Sequence, residues 1–554
     1  MSINNFVKTI QNIMRGDSGI NGDAQRIEQM TSFLFLKIYD AKEEDWEFHD
    51  ENYQSIIPEE LRWRNWAVDK KDGRAMTGQE LLDFVNIKLF PQLKKLPVTE
   101  HTPIKKSIVR AVFEDSNQYM KDGILLRQVI NHIDGIAFDE YKERHAFGEV
   151  YETILKSLQS AGNAGEFYTP RAVTDFMVQM IAPQLGESIA DFACGTGGFL
   201  TSALHQLEKQ VNTVEDRNRY NQSIFGIEKK PLPYLLCITN MLLHDIESPR
   251  IYHGNSLERN VREYRDNDLF DVVLMNPPYG GKESDSVKMN FPADLRSSET
   301  ADLFMSVIMY RLKATGRAAV IIPDGFLFGT DNAKVAIKKR LLEEFNLHTV
   351  VRMPSSVFAP YTSITTNILF FDKTKVTDRV WYYRVDMPEG YKHFSKTKPM
   401  KLEHFDACSV WWRKREDIKD VETDTYKARS FTASELADRG YDLDLCGYPT
   451  VEEVVLSPEE TIRQFHEKRE ALNARIDKRL LLLESYLANS AQVVPEIEFI
   501  ETSGSALDGL YVSFPTRIKN SILQSAMKGK LTKQLPEDGN ASDLLDSVYT
   551  RYVI

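Results

Sequence analysis

Ser188-Ile189-Ala190-Asp191-Phe192-Ala193-Cys194-Gly195-Thr196-Gly197-Gly198-Phe199-Leu200 reads as a short strand, a glycine-rich turn and the start of a helix. Glycines there let the backbone take positive φ and approach a ligand closely. The stretch lies just beyond a change of grammar at Ala161-Gly162-Asn163-Ala164-Gly165. From that point to about residue 385, short apolar runs alternate with helix-length segments. The predicted strands are Ser188–Ala193, Ile224–Glu228, Phe270–Met275, Ala318–Ile322, His348–Met353 and Asn367–Phe371. A further short strand is expected just before Gly254. Such alternation predicts an α/β fold, a mainly parallel sheet with helices on both faces. In sheets of that kind ligands lie at the carboxyl ends of the strands.

The residues at those ends carry chemistry. The glycine turn resembles a dinucleotide fingerprint, but Asp191 at the strand end and the order Asp-Phe-x-Cys-Gly-Thr-Gly-Gly suit the methyl donor S-adenosylmethionine better. Asp191 is expected beside the donor's amino group, where a carboxylate complements a positive charge. The next strand ends in Glu228, placed to bind both ribose hydroxyls as acids do in dinucleotide folds. Upstream, Gly165-Glu166-Phe167-Tyr168-Thr169-Pro170-Arg171 precedes a helix, with Thr169 expected to cap it and Pro170 at its first position. That loop can also close over the donor. Asn255, in Gly254-Asn255-Ser256-Leu257, either faces the donor's adenine ring or serves as a turn residue.

Phe270-Asp271-Val272-Val273-Leu274-Met275 is a buried-strand run ending in Asn276-Pro277-Pro278-Tyr279. An amine conjugated to an aromatic base is a poor nucleophile, because its lone pair is delocalised into the ring. Two acceptors held against its hydrogens favour a pyramidal nitrogen with a localised lone pair. The Asn276 side-chain oxygen and the Pro277 carbonyl can supply them. Pro277 and Pro278 stiffen the turn, so orientation costs little at the moment of reaction. Tyr279 offers a face on which an extruded base stacks. The plainer alternative is a proline turn in which the asparagine bonds its own backbone.

Composition bounds the class. The chain has 554 residues, four scattered cysteines and a net charge of −12. Cys194, Cys237, Cys408 and Cys446 suit neither a disulfide framework nor a CxxC metal site, so no metal is expected and a cytoplasmic location is. No apolar run of membrane-spanning length and no signal peptide are read. The acidic balance argues against coating nucleic acid unaided and for a limited DNA contact or a basic partner. No GxxxxGK(S/T) phosphate loop is present for a motor.

The expected organisation is a helical N-terminal domain over 1–150, a catalytic domain over 151–385 and its extension over 386–455. Asp23–Asp40 shows one apolar helix face in Ile27, Met30, Leu34 and Ile38, and Gly78–Leu89 and Leu125–Ile136 are further helices. Residues 456–490 read as a long charged helix, Pro458–Leu487. Its stripe of Ile462, Phe465, Leu472, Ile476, Leu480, Leu483 and Leu487 suits either plain packing or a partner helix. Residues 491–509 read as a linker. Residues 510–554 read as a helical tail with a basic cluster of Arg517, Lys519, Lys528, Lys530 and Lys533.

The order of these motifs resembles the gamma-type amino methyltransferases. With the helical N-terminal block and Pro354–Phe371, the chain resembles the modification subunit of a type I restriction–modification system over most of residues 1–490. The resemblance implies a Rossmann-like S-adenosylmethionine-dependent methyltransferase sheet with a helical N-terminal domain and a helical C-terminal extension. It implies that Glu166, Phe167, Tyr168, Thr169, Pro170, Arg171, Gly195, Thr196, Gly197, Gly198 and Glu228 bind S-adenosylmethionine. Asn276, Pro277 and Tyr279 then act on adenine N6. The implied partners are double-stranded DNA, a specificity subunit shared by two modification subunits, and a restriction or motor subunit. The tail from Ile518 to Leu545 departs from that pattern and resembles a specificity-subunit helix. Glutamine side chains, RNA adenine and cytosine N4 stay open as other acceptors, as does a structural subunit with an idle site.

Overall fold

The computed structural model describes residues 3–68, 75–136, 151, 154–155, 168–359, 361–395, 397–420, 424–448 and 457–488. Two compact units divide the chain, residues 1–449 and residues 450–554. Within the second unit the described element is the helix Pro458–Ala488. Along it Ile462 is exposed while Phe465, Leu472 and Ile476 are half-buried. The expected linker over 491–509 and tail over 510–554 lie outside the described residues.

The first unit is built on one sheet. Its strands are β1 (Ile189–Asp191), β2 (Ile224–Glu228), β3 (Arg250–His253), β4 (Phe270–Met275), β5 (Leu312–Pro323), β6 (Asn346–Arg352), β7 (Thr366–Asp372), β8 (Arg379–Arg384), β9 (Ile418–Lys419) and β10 (Tyr426–Thr432). They lie in the order β3-β2-β1-β4-β5-β7-β6-β8-β10-β9. From β3 to β5 every pairing is parallel. Beyond β5 the sheet is mixed: β7 runs antiparallel to both β5 and β6, β6 and β8 are parallel, and β10 is antiparallel to β8 and β9. The expectation of a mainly parallel sheet therefore holds for the half with the glycine turn and needs correcting for the other half.

The central strands carry long apolar runs because both faces are covered. Val272 and Leu274 of β4 point into one core, which includes helices Arg171–Ile181, Gly198–Glu208 and Pro231–Leu243. Val273 and Met275 point into the other, beneath helices Thr300–Arg311 and Asn332–Glu343. β8, β9 and β10 were not expected from the sequence. Their burial is broken and irregular, so neither a continuous apolar run nor a clean alternation marks them.

Between residues 3 and 136 the described elements are helices. Asp23–His49 is longer than its periodic stretch and is not simply amphipathic. Ile27, Met30, Leu34 and Ile38 are buried, but so are Gln29, Thr31, Ser32 and Glu43 on its other sides. It is the central helix of the block, and it packs against Pro231–Leu243 of the sheet half. The Lys42–Asp245 ion pair fastens the same junction. No described helix is long and apolar enough to cross a membrane.

Two helix starts of the block meet at Gly123, where an added Cβ would stand 1.9 Å from the Gly78 carbonyl oxygen. Nothing flexible can yield there. Gly123→Ala is expected to cost about 1–3 kcal/mol by overpacking. A thermal midpoint equal to that of the parent chain would contradict this reading of the contact.

Candidate active site

β1 stops at Asp191 because the chain turns to bond itself. The Asp191 carboxylate accepts the Ala193 amide at 3.0 Å, and the Cys194 amide donates to the Ile227 carbonyl of β2 at 3.0 Å. The turn then passes through Gly195 and Gly197, with φ of 55° and 82°, into helix Gly198–Glu208. At the end of β2, Glu228 accepts the Gly195 amide at 2.9 Å with one oxygen and the Lys230 amide at 2.7 Å with the other. A carboxylate oxygen keeps a second lone pair, so Glu228 can still accept from a ligand hydroxyl.

These ends open on a cavity of about 350 Å³, within the usual range of small-molecule sites. One side is made by Tyr168, Thr169, Asp191, Gly195, Gly198, Glu228 and Asn255. The other is made by Asn276, Pro277, Pro278 and Tyr279 beyond the end of β4. Residues 107 apart in the chain meet here, as the Asn276 Nδ2 donates to Thr169 Oγ1 at 3.1 Å. On its other edge the Asn276 Oδ1 accepts the Tyr279 hydroxyl proton.

Not every expected residue faces the cavity. Thr196 is buried and offers its carbonyl to Asn240 Nδ2 at 3.2 Å. A Cβ on Gly197 would meet Cys237 Sγ at 2.9 Å, so this glycine serves packing against helix Pro231–Leu243. Arg171 donates to the Gly198 carbonyl at 2.5 Å, tying one helix start to another. Pro170 is itself the cap position of helix Arg171–Ile181, which no side chain caps. Thr169 therefore does not cap it, contrary to expectation; its hydroxyl turns to Asn276 instead. Asn255 lines the cavity and also accepts the Leu257 amide at 3.1 Å, as a turn residue does. Glu166 and Phe167 lie outside the described residues.

The structure also brings in residues to which the sequence motifs assign no role. Phe192 and Phe199 give the cavity an aromatic lining. Phe358 and Tyr361 come from the loop after β6, and Phe358 stands edge-on to Tyr279 with centroids 6.4 Å apart. Lys229 spans from the end of β2 to Glu283, beyond the asparagine turn, at 3.1 Å. The available signal for the loop was topological: β6 ends at the same edge of the sheet as β4.

Electrostatically the cavity holds two buried acids, with Lys229, Lys230 and Lys282 also in its lining. Burial pushes the Asp191 carboxyl up to about 8, opposed by the Ala193 amide and assisted by the charge of Glu228. Burial also raises Glu228, against the backbone amides that bond it. A cationic ligand with hydroxyls would relieve both acids. The facing turn presents a carboxamide with one acceptor edge beside an aromatic ring, an arrangement that can orient a planar amine.

Two family profiles match the chain: N-6 DNA methylase over residues 142–455 and HsdM N-terminal domain over 3–133. The methylase subunit of the EcoEI type I restriction enzyme of Escherichia coli is 48% identical over 84% of this chain and 94% of its own length. The chain belongs to the N-6 DNA methylase family, among the type I restriction methylase subunits. Two solved structures agree with that placement of this methylase. A modification subunit assigned to a type I restriction enzyme of Vibrio vulnificus YJ016 has a TM-score of 0.70 at 42% identity, covering 81% of this chain and 96% of its own. A chain from structural work on assembly and conformational transition of a type I system has a TM-score of 0.72 at 34% identity, covering 89% and 99%. The N-terminal helices and the sheet of this methylase thus both have counterparts in that family.

The raised Asp191 has a consequence for stability. Its folded pKa of about 8 lies above the unfolded value of roughly 3.9. The ligand-free fold is therefore undisturbed by this group below about pH 4 and loses stability as pH rises towards 8. Asp191→Asn keeps the acceptor for the Ala193 amide and removes the charge. The variant should be the more stable ligand-free protein at pH 8, with the gap widening by up to about 1.4 kcal/mol per pH unit. Thermal midpoints at pH 5 and pH 8 test this; a pH-independent gap would contradict it.

Proposed function

We propose that this chain transfers a methyl group from S-adenosylmethionine to the exocyclic N6 of an adenine flipped out of double-stranded DNA. The observation that carries the reading is that Asn276-Pro277-Pro278-Tyr279 shares one cavity with Asp191 and Glu228. When bound, S-adenosylmethionine supplies an electrophilic methyl whose bond to sulfur is exchanged for one to N6, which gives up a proton. The donor set fits that group: two carboxyls raised by burial gain from a cation, and Phe192 and Phe199 give apolar surface to an aromatic ring. Asp191 would hold the amino group and Glu228 the ribose hydroxyls. Tyr168, Gly195, Gly198 and Asn255 would enclose the rest.

On the acceptor side, Asn276 Oδ1 and the Pro277 carbonyl would take the two N6 hydrogens and direct the lone pair at the methyl. Fixed acceptors need no reorganisation at the moment of reaction. Pro278 keeps the turn stiff, and Tyr279 would stack on the flipped base, which must leave the duplex to reach the cavity.

In this reading residues 151–385 with the extension 386–455 form the catalytic domain and 1–150 a helical domain that braces it. Sequence recognition falls to a specificity subunit, with two methylase subunits to each and a motor subunit in the complete enzyme. The net charge of −12 supports borrowed rather than intrinsic DNA affinity. The helix Pro458–Ala488, with Ile462 exposed along it, would dock on that partner.

The test is transfer of labelled methyl groups to duplex DNA by this chain alone and with the specificity subunit encoded beside it. Label is expected on adenine N6 with the partner present, falling by roughly 100-fold or more in Asn276→Ala. Label on cytosine, RNA or protein would replace the acceptor in this reading. Donor binding should tighten up to about tenfold per pH unit between pH 6 and 8 as Asp191 releases its proton. Asp191→Asn should flatten that slope, as followed by calorimetry.

A further inference from the structure

The asparagine on which the reaction rests carries an amide whose two edges differ only in oxygen and nitrogen. Rotating it by half a turn exchanges acceptor for donor. With the nitrogen facing the base, Asn276 would repel the N6 hydrogens rather than receive them. Something must choose the edge. Its neighbours in the structure are the Thr169 and Tyr279 hydroxyls, with Thr169 Oγ1 accepting from Nδ2 at 3.1 Å and Tyr279 donating to Oδ1.

A hydroxyl has one proton to donate and two lone pairs that accept, so threonine alone does not choose. It chooses once its proton is committed elsewhere, because it can then only accept. Thr169 is placed for that commitment. It is half-buried, held between buried Tyr168 and Pro170, and it lines the same cavity as Asp191 and Glu228. It is not spent on capping the helix that follows. A donor bound in the cavity brings acceptor groups of its own, a carboxylate among them.

We propose that Thr169 is a positioning residue that couples occupancy of the donor cavity to the orientation of Asn276. With its proton taken by the bound donor, Thr169 can meet Asn276 only through Nδ2, and Oδ1 is turned to the acceptor side. There the Tyr279 hydroxyl keeps Oδ1 hydrogen-bonded until the target amine replaces it. The coupling is reciprocal: a donor that sets Asn276 strengthens capture of the base, and a captured base strengthens donor binding. This inference rests on the functional reading above.

The experiment uses the complex with the specificity subunit and compares the parent chain, Thr169→Val and Thr169→Ser. Valine keeps the shape and removes the hydroxyl, while serine restores it. At saturating S-adenosylmethionine, Thr169→Val should have kcat lowered by about 10–100-fold, the cost of a misplaced catalytic group. Thr169→Ser should recover most of it. S-adenosylhomocysteine should enhance the fluorescence of 2-aminopurine placed beside an intact target adenine in the parent and serine proteins, and should not in the valine protein. Binding of S-adenosylhomocysteine, measured directly, shows that the variant cavity is folded.

A valine protein whose kcat recovers fully at saturating donor would make Thr169 a donor-binding residue only, overturning the proposal. So would a kcat unchanged from the parent. If the parent complex itself leaves adenine unmethylated, the functional reading fails first and this proposal falls with it. Those results are distinguishable because the parent is measured in every arm.

Discussion

Glu228 accepts the amide of Gly195 across 2.9 Å, and the cavity wall at the ends of β1 and β2 depends on that bond. It joins the end of β2 to the turn after β1, so the two parallel strands finish as one surface. The bond also fixes a cost. Both carboxyls at this edge are withdrawn from water, which raises both, and the charge of Glu228 raises Asp191 further. The fold tolerates the tension because Ala193, Gly195 and Lys230 give their amides to these acids. A positive ligand beside them would favour the charged form of both acids.

The wall around Asn276 combines the turn after parallel strand β4 with a loop from the mixed part of the sheet. The reversal at β7 returns β6 to the same sense as β4 and β5, so the loop carrying Phe358 and Tyr361 arrives at the edge where Asn276 stands. Beneath that loop Arg352, almost wholly buried, bonds Asp444 at 2.7 Å and Asp324 at 3.2 Å. Asn367 bonds Asp324 as well, at 2.8 Å. Arg384 likewise holds Asp386, Asp420 and the Gly447 carbonyl. Buried guanidinium groups require such partners, and here Asp420, Asp444 and Gly447 come from the chain that closes the first unit.

The parallel half of this architecture was legible because its central strands carry buried apolar runs, as in Val272–Met275 and Ala318–Ile322. β2 and β4 have the very bounds that the sequence suggests, and the asparagine turn follows β4 directly. The glycine turn was legible as a turn, but not the work of each residue in it. Gly197 and Thr196 face the neighbouring helix, a distinction decided by Cys237 and Asn240 far along the chain. Thr169 looked like a helix cap because local spacing is all that a sequence shows directly. Its bond to Asn276 is a long-range fact. β8 to β10 and Phe358 escaped for the same reason, since partners rather than periodicity place them.

That long range has a consequence in time. Thr169 and Asn276 are separated by 107 residues, which a ribosome adds in roughly 5–20 s. Tyr361 comes later still. Within that interval the glycine turn, Asp191 and then Glu228 are added, and none has a wall opposite it until the asparagine turn is made. The cavity cannot be closed piecemeal during synthesis; it comes into being late, when the second half of the sheet has been made and has folded onto the first.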